Sequence, residues 1–215
     1  SDKAQELGAT TAFTSTEVGQ AMEYMAMAGW STDEVLSSVS GVMNLAAASA
    51  EDLATVSDIV TDSMTAFGLA ADGEFADGVS NATHYADVLA AASTNANTNV
   101  GLMGETFKYV APIAGTLGYS AEDTAVAVGL MANAGIKGSQ AGTSLKTALA
   151  NLASPTDKQA AAMEQLGISL TDTNGKTKSL MDVMGNLRSA IGGTDVALTD
   201  ADGNLRSYED IIADV

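Results

Sequence analysis

The sequence predicts a mainly α fold: a multi-helix bundle built from helical hairpins, with one or two short β-hairpins near the C-terminal end. Three observations predict it. The chain is 46% hydrophobic but only 5% aromatic, and alanine supplies much of the apolar content. That composition favours closely packed helices over a β-sandwich, which draws on β-branched and aromatic residues. Helix-capping signatures recur along most of the length, with 21 glycines breaking the chain into pieces too short for one rod. Finally, the apolar period shifts from helical to alternating after Gly167.

The elements follow in order. A helix starts near Ser15 or Thr16 in "STEVGQAMEYMAMAG" and stops at Gly29, a left-handed capping position. "STDE", Ser31 to Glu34, is a capping box that opens a helix to about Ala48. Ser49 with Asp52 repeats the device for a helix that Gly68 closes. Another helix is expected from about Phe75 to Ala92, and "STNANTN", Ser93 to Asn99, makes a polar break. Pro112 lies inside the next helical pattern, where it removes a donor. Ser120 caps a helix to about Ala134; Gly135 ends it, and Ser139 caps one ending near Ala153. Pro155 is expected in a first helical turn, with Gly167 at that helix's end. "ISLTDTNGKTKSL" then reads as a hairpin around Asp172 to Gly175, and Ser179 caps a helix to about Ile191. "VALTDADGNLRSYEDII" repeats hairpin plus helix 28 residues later.

A longer repeat overlies this one. "GWSTDE" at Gly29 resembles "GYSAED" at Gly118, 89 residues on, with Val39 matching Val128 and Asn44 matching Asn133. Such repeats point to stacked units rather than a single catalytic pocket. The domain reading is a lead-in over 1–13, a first helical module over 14–98, a repeat-related second module over 99–167, and hairpin-plus-helix repeats over 168–215 (168–191 and 196–215). The start lacks an initiator Met and the end falls inside a helical pattern, so a fragment of a longer protein is expected.

Charge is the strongest bulk signal. Nine bases against 27 acids give −18. Through Phe107 there are 15 acids and one base, Lys3; from Lys108 onward there are 12 acids and eight bases. This surface repels phosphate and excludes specific nucleic-acid binding. The absence of cysteine removes disulfides and thiolate metal sites. No apolar run reaches the roughly 20 residues of a membrane helix, and no signal peptide stands at the start.

Chemical motifs fail on spacing. "NAGIKGSQAGTSLK", Asn133 to Lys146, places glycines and lysines before a helix, as phosphate loops do. The phosphate loop needs Lys directly after its last glycine; here Thr143 follows Gly142, and Lys137 precedes Gly138. Ala134, Gly138 and Gly142 recur every four residues, so they suit close approach of two helices. "DADGN", Asp200 to Asn204, lacks the sixth-position glycine and twelfth-position glutamate of a calcium loop and reads as a turn. His84 is the only histidine and sits in an ordinary helix pattern. Glu51-Asp52 and Glu122-Asp123 stand at helix starts, where the dipole favours acids. Met22/Met25 and Met181/Met184 read as core filler, and Trp30 as a packing anchor. No catalytic residue, metal ligand or cofactor site is expected.

The strings "EYMAMAGWSTDEVLSSVSGVMNLAAAS", "HYADVLAAASTNANTNV" and "FKYVAPIAGTLGYSAEDTAVAVGLMANAGIKGSQAGTSLKTALANLASPT", followed by "LGISLTDTNGK", go further. Over roughly Thr14 to Ile191 they resemble the core region of tail tape measure proteins, the phage-related minor tail proteins of bacteriophages and prophages. The signature residues carrying the likeness are Gly29, Trp30, Pro112, Gly118, Gly135, Lys137, Gly138, Gln140, Gly142, Thr143 and Pro155. The resemblance implies a virion structural protein that sets tail length, occupies the tube lumen, and leaves ahead of DNA. It implies partners among tail tube, tip or baseplate proteins and assembly chaperones, along with self-association. It implies the host cytoplasm as the place of assembly. The glycines and caps imply a folded module rather than the ruler's rod. Two other readings stand beside it: a peptidoglycan hydrolase, and a membrane-penetrating or channel segment.

Overall fold

The computed structural model describes residues 2–71, 73 and 79–192. Within them lie ten helices. They are α1 (Asp2–Thr10), α2 (Ser15–Met27), α3 (Thr32–Ser49), α4 (Leu53–Phe67) and α5 (Asn81–Asn95), then α6 (Val100–Thr116), α7 (Ala121–Asn133), α8 (Gly138–Ala153), α9 (Asp157–Gln165) and α10 (Leu180–Gly192). The chain divides into two compact units, Ser1–Lys146 and Thr147–Val215, with the division falling inside α8.

Most helix starts are fixed by side chains that take up orphan amide protons. Thr14, Ser31 and Thr156 each form a full capping box, with Glu17, Glu34 and Gln159 reaching back. Asp52, Ser80, Asn99 and Ser120 cap α4 to α7, and Ser179 accepts from Asp182 at the start of α10. The repeat read at Gly29 and Gly118 is a shared turn. At both, a left-handed glycine (φ +94 and +81) lets its own N–H and the next residue's fold back onto the helix. Gly29 and Trp30 donate to Ala26 and Met25; Gly118 and Tyr119 donate to Gly115 and Ala114. The following serine, Ser31 or Ser120, starts the next helix.

In the first unit, helices pair with the helix two positions along. The α2, α4 and α6 helices form one row, and α3, α5 and α7 form a second. Thus α2–α3, α4–α5 and α6–α7 are successive hairpins, stacked side by side. The start of α8 continues the first row against α6, and α1 lies on α2. Between the rows sit Val18, Met25, Val39, Val42, Val56, Val60, Met64, Leu89, Met103 and Val110, all buried. Phe67, Tyr85 and Phe107, from α4, α5 and α6, cluster with ring centroids 5.7–6.4 Å apart, which locks two hairpins together. Two buried hydroxyls bond back to their own helix: Ser57 donates to Leu53 O and Thr61 to Ser57 O. Burial pushes the Tyr85 phenol well above its ordinary range.

Several boundaries differ from the sequence reading. Residues 2–10 of the lead-in form a helix. Ser49 ends α3 instead of capping α4; the cap is Asp52, whose carboxylate accepts from Thr55 N. The α5 helix starts at Asn81, after its Ser80 cap; of the earlier start, residues 74–78 lie outside the described residues. Ser139 lies within the first turn of α8. Pro155 stands one residue before the Thr156 cap. Pro112 is on the exposed side of α6, and the helix continues through it to Thr116.

No strand occurs among the described residues, and this corrects the first of the expected hairpins. In place of the first hairpin, Thr171 and Thr177 make one isolated antiparallel bridge, with Asp172 Oδ1 accepting from the amides of Asn174 and Lys176. The turn chemistry is present, but two such short arms without a third strand do not propagate a ladder. The second expected hairpin, from 196, lies outside the described residues.

Removing the cluster's centre should cost more than removing a cap. Phe107→Ala is expected to destabilise by about 3–5 kcal/mol and Ser31→Ala by about 1 kcal/mol, measured by urea unfolding. Equal losses would mean the aromatic cluster does not hold the hairpins.

Candidate functional site

The signature stretch builds a helix crossing. Asn99 caps α6 by accepting from Leu102 N at 2.8 Å. This sets α6 one turn before Thr106, which is buried. Thr106 Oγ1 lies 2.9 Å from both Leu102 O within α6 and Gly138 O at the start of α8, sharing its one proton between them. A methyl group on Gly142 would stand 2.5 Å from Thr106 O and 2.9 Å from Tyr109 Cβ. One on Gly138 would stand 3.0 Å from Glu105 Oε2 and 3.3 Å from Leu102 Cδ2, and Gly138 also holds φ +57. The α6 helix therefore fills the side of the glycines on which a side chain would lie.

The other signature residues serve separate places. Gly29, Gly118 and Gly135 end α2, α6 and α7. Trp30 follows Gly29 and is half-buried beside Val35 and Met22. Lys137 is half-buried just before Gly138; Gln140 and Thr143 are exposed on α8, with Thr143 Oγ1 donating to Ser139 O. Pro155 belongs to the second unit.

A second construction escaped the sequence reading. The α5 and α7 helices are pinned at both ends and open between. At one end His84 Nε2 and Glu122 Oε1 share a hydrogen bond of 2.6 Å. At the other, Asn97 N donates to Asn133 Oδ1 at 2.8 Å, and Gly129 meets Ala96 closely. Between the pins lies an apolar groove of 420 Å³ with Ala92, Ala96, Ala125 and Gly129 in its walls. Val126 and Leu130, 49% and 50% exposed, also line it. Burial raises the Glu122 carboxyl, but the His84 hydrogen bond, with its own N–H and the Ser120 hydroxyl, outweighs this and holds it below 4.5. His84 and Glu122 are 38 residues apart on different hairpins, so no local spacing announces the pair. Among the described residues, no group of three or more His, Cys, Asp or Glu could hold a metal ion. None of the helices there is long and apolar enough to cross a membrane.

A family model described as phage-related minor tail protein matches residues 1–212. The chain belongs to the phage-related minor tail protein family. Its relatives carry the tape measure likeness across most of the chain. The tape measure protein of Pneumococcus phage Dp-1 is 42% identical over 191 residues, 89% of this chain and 16% of that protein. The probable tape measure protein of Escherichia phage P2 is 27% identical over 188 residues, 87% of this chain and 22% of that protein. The chain thus spans less than a quarter of the length of either relative. No solved structure gives a significant match. In this minor tail protein the 133–146 stretch supplies the α8 side of the α6–α8 crossing, while the groove draws on α5 and α7.

Two outcomes test this geometry. Gly142→Ala should destabilise by about 1–3 kcal/mol through overpacking although alanine favours helix. Gly19→Ala, with open space around its α2 position, should stabilise by up to about 1 kcal/mol; denaturant midpoints of both variants check this. For Glu122, a lowered carboxyl stabilises above the ordinary value of 4.5 and loses that contribution as pH falls through the folded value. The stability gap between the native chain and Glu122→Gln should therefore be full at neutral pH and vanish in acid. A gap that is constant with pH would mean that the pair does not stabilise the fold.

Proposed function

We propose that this chain is a structural module of a phage tail tape measure protein. The carrying observation is the 42% identity to a tape measure protein over 89% of the chain. On this reading the full protein sets tail length during assembly, occupies the tube lumen, and is released on DNA ejection. The longest described helix, α3, has 18 residues, about 27 Å at 1.5 Å per residue. That length supports a folded module carried by the ruler rather than its measuring rod. Its partners would be tail tube, tip or baseplate proteins and assembly chaperones, or further copies, first in the host cytoplasm and then in the virion. The signature glycines would act through the hairpin packing that presents these surfaces. The charge of −18 would let DNA pass without adhering.

The chain on this reading is not an enzyme. Glu122 and Asp123 are in the first turn of α7, and Glu122 is engaged by His84. Those contacts give them structural work rather than the opposed carboxylates of a glycosidase.

Deleting residues 29–156 in the phage should abolish tails or yield misassembled ones in electron micrographs; normal infectious tails would overturn the reading. On purified cell wall the chain should produce no clearing, and clearing that disappears with Glu122→Gln would establish the hydrolase instead.

A further inference from the structure

The α5–α7 groove differs from its counterpart one repeat earlier. At the 89-residue offset, Val126, Gly129 and Leu130 of α7 correspond to Ser37, Ser40 and Gly41 of α3. Ser37 and Ser40 are exposed hydroxyls, and Gly41 is closed off by Thr83 of α5, which a methyl group there would meet at 2.6 Å. The same position in the same row thus presents hydroxyls in one repeat and half-exposed aliphatic side chains beside an open groove in the other. Structural packing of α7 does not call for Val126 and Leu130, since the repeat-equivalent helix packs without them. Their apolar surface gains only when something covers it.

Charge says what covers it. The helices of this row, α3, α5 and α7, contain no Lys or Arg. They carry Asp33, Glu34, Asp87, Glu122 and Asp123. Glu122 lines the groove, and Asp87 is exposed beside groove-lining Val88. A second copy would bring the same row, which holds no Lys or Arg, against itself, in a chain of −18, and like charges at an interface oppose docking. A helix with an apolar stripe and basic flanks has the complementary surface. The α7 lining runs from Glu122 to Asn133, which matches about three turns of helix.

We propose that the α5–α7 groove receives a short amphipathic helix of a partner protein, its large apolar residues seated between the two helices and its Lys or Arg side chains set against the row's acids. The inference goes beyond the tape measure reading and does not depend on it.

The test uses the full 215-residue chain and two fluorescent synthetic helical peptides of one apolar stripe, Leu/Lys and Leu/Glu, at physiological salt. The Leu/Lys peptide should bind saturably. Val126→Ser with Leu130→Ser should weaken it by at least about tenfold, the loss of roughly 1.4 kcal/mol of apolar contact, while far-UV circular dichroism shows that the double variant remains folded. The Leu/Glu peptide should not bind. Absent Leu/Lys binding, or binding that the double variant leaves intact, overturns the proposal, the latter because charge alone would then hold the peptide. Equal binding of Leu/Glu overturns the basic partner. A dimer in light scattering that the double variant abolishes overturns it in favour of a second copy.

Discussion

The rows of helices depend on how closely their backbones approach one another at a few glycines. Gly41 lets α3 meet Thr83 of α5; Gly104 and Gly115 let α6 meet Ile59 and the Ala66 carbonyl of α4; Gly142 lets α8 meet Thr106 of α6. At each, an added methyl group would lie under 3.0 Å from its nearest neighbour; at Gly41, Gly115 and Gly142 it meets backbone atoms and forces the helices apart, and at Gly104 it displaces the Ile59 side chain. A glycine inside a helix costs about 1 kcal/mol relative to alanine. The crossings recover that through dense dispersion contact along the helices, and at α6–α8 through the Thr106 hydrogen bond to Gly138. Where a crossing is tight the helices close up, and beside the α5–α7 contact a groove remains.

Features written in neighbouring residues were legible in the sequence. Ser31 with Glu34, Ser120, and the left-handed glycines at 29, 68, 118, 135 and 167 each satisfy backbone groups within a few residues, and their patterns mark helix ends directly. Errors arose where two capping residues competed. Ser49 and Asp52 both lie near the α4 start, and Asp52 prevails because its carboxylate reaches both the Thr55 amide and the Thr55 hydroxyl. Between Thr156 and Pro155 the complete capping box likewise decides. The order of the rows was not legible, because the 89-residue repeat spans two hairpins and hides the single-hairpin step. Gly138 and Gly142 lie against α6 of the preceding hairpin, a neighbour that no local pattern names. The His84–Glu122 contact was missed for the same reason: neither residue's neighbours name the other.

Acids and hydroxyls settle at helix starts, where orphan amides need acceptors, and this accounts for part of the acidity without any ligand. Glu17, Glu34, Asp52, Asp123 and Glu122 are all in or next to first turns. What local capping does not explain is the complete lack of Lys and Arg across α3, α5 and α7. Capping requires acceptors at one end of each helix and says nothing about the other, where a lysine would be favourable.

The stack of hairpins has a mechanical meaning. The extensive contacts of the first unit all join helices one or two places apart in the chain, so no element is clasped by a distant one. Tension applied along the polypeptide would peel hairpins from an end, each releasing its share of contacts before the next is loaded. A chain drawn through a narrow bore could then lengthen by successive short yields rather than by one abrupt rupture, and could refold by adding hairpins to whichever part remained intact.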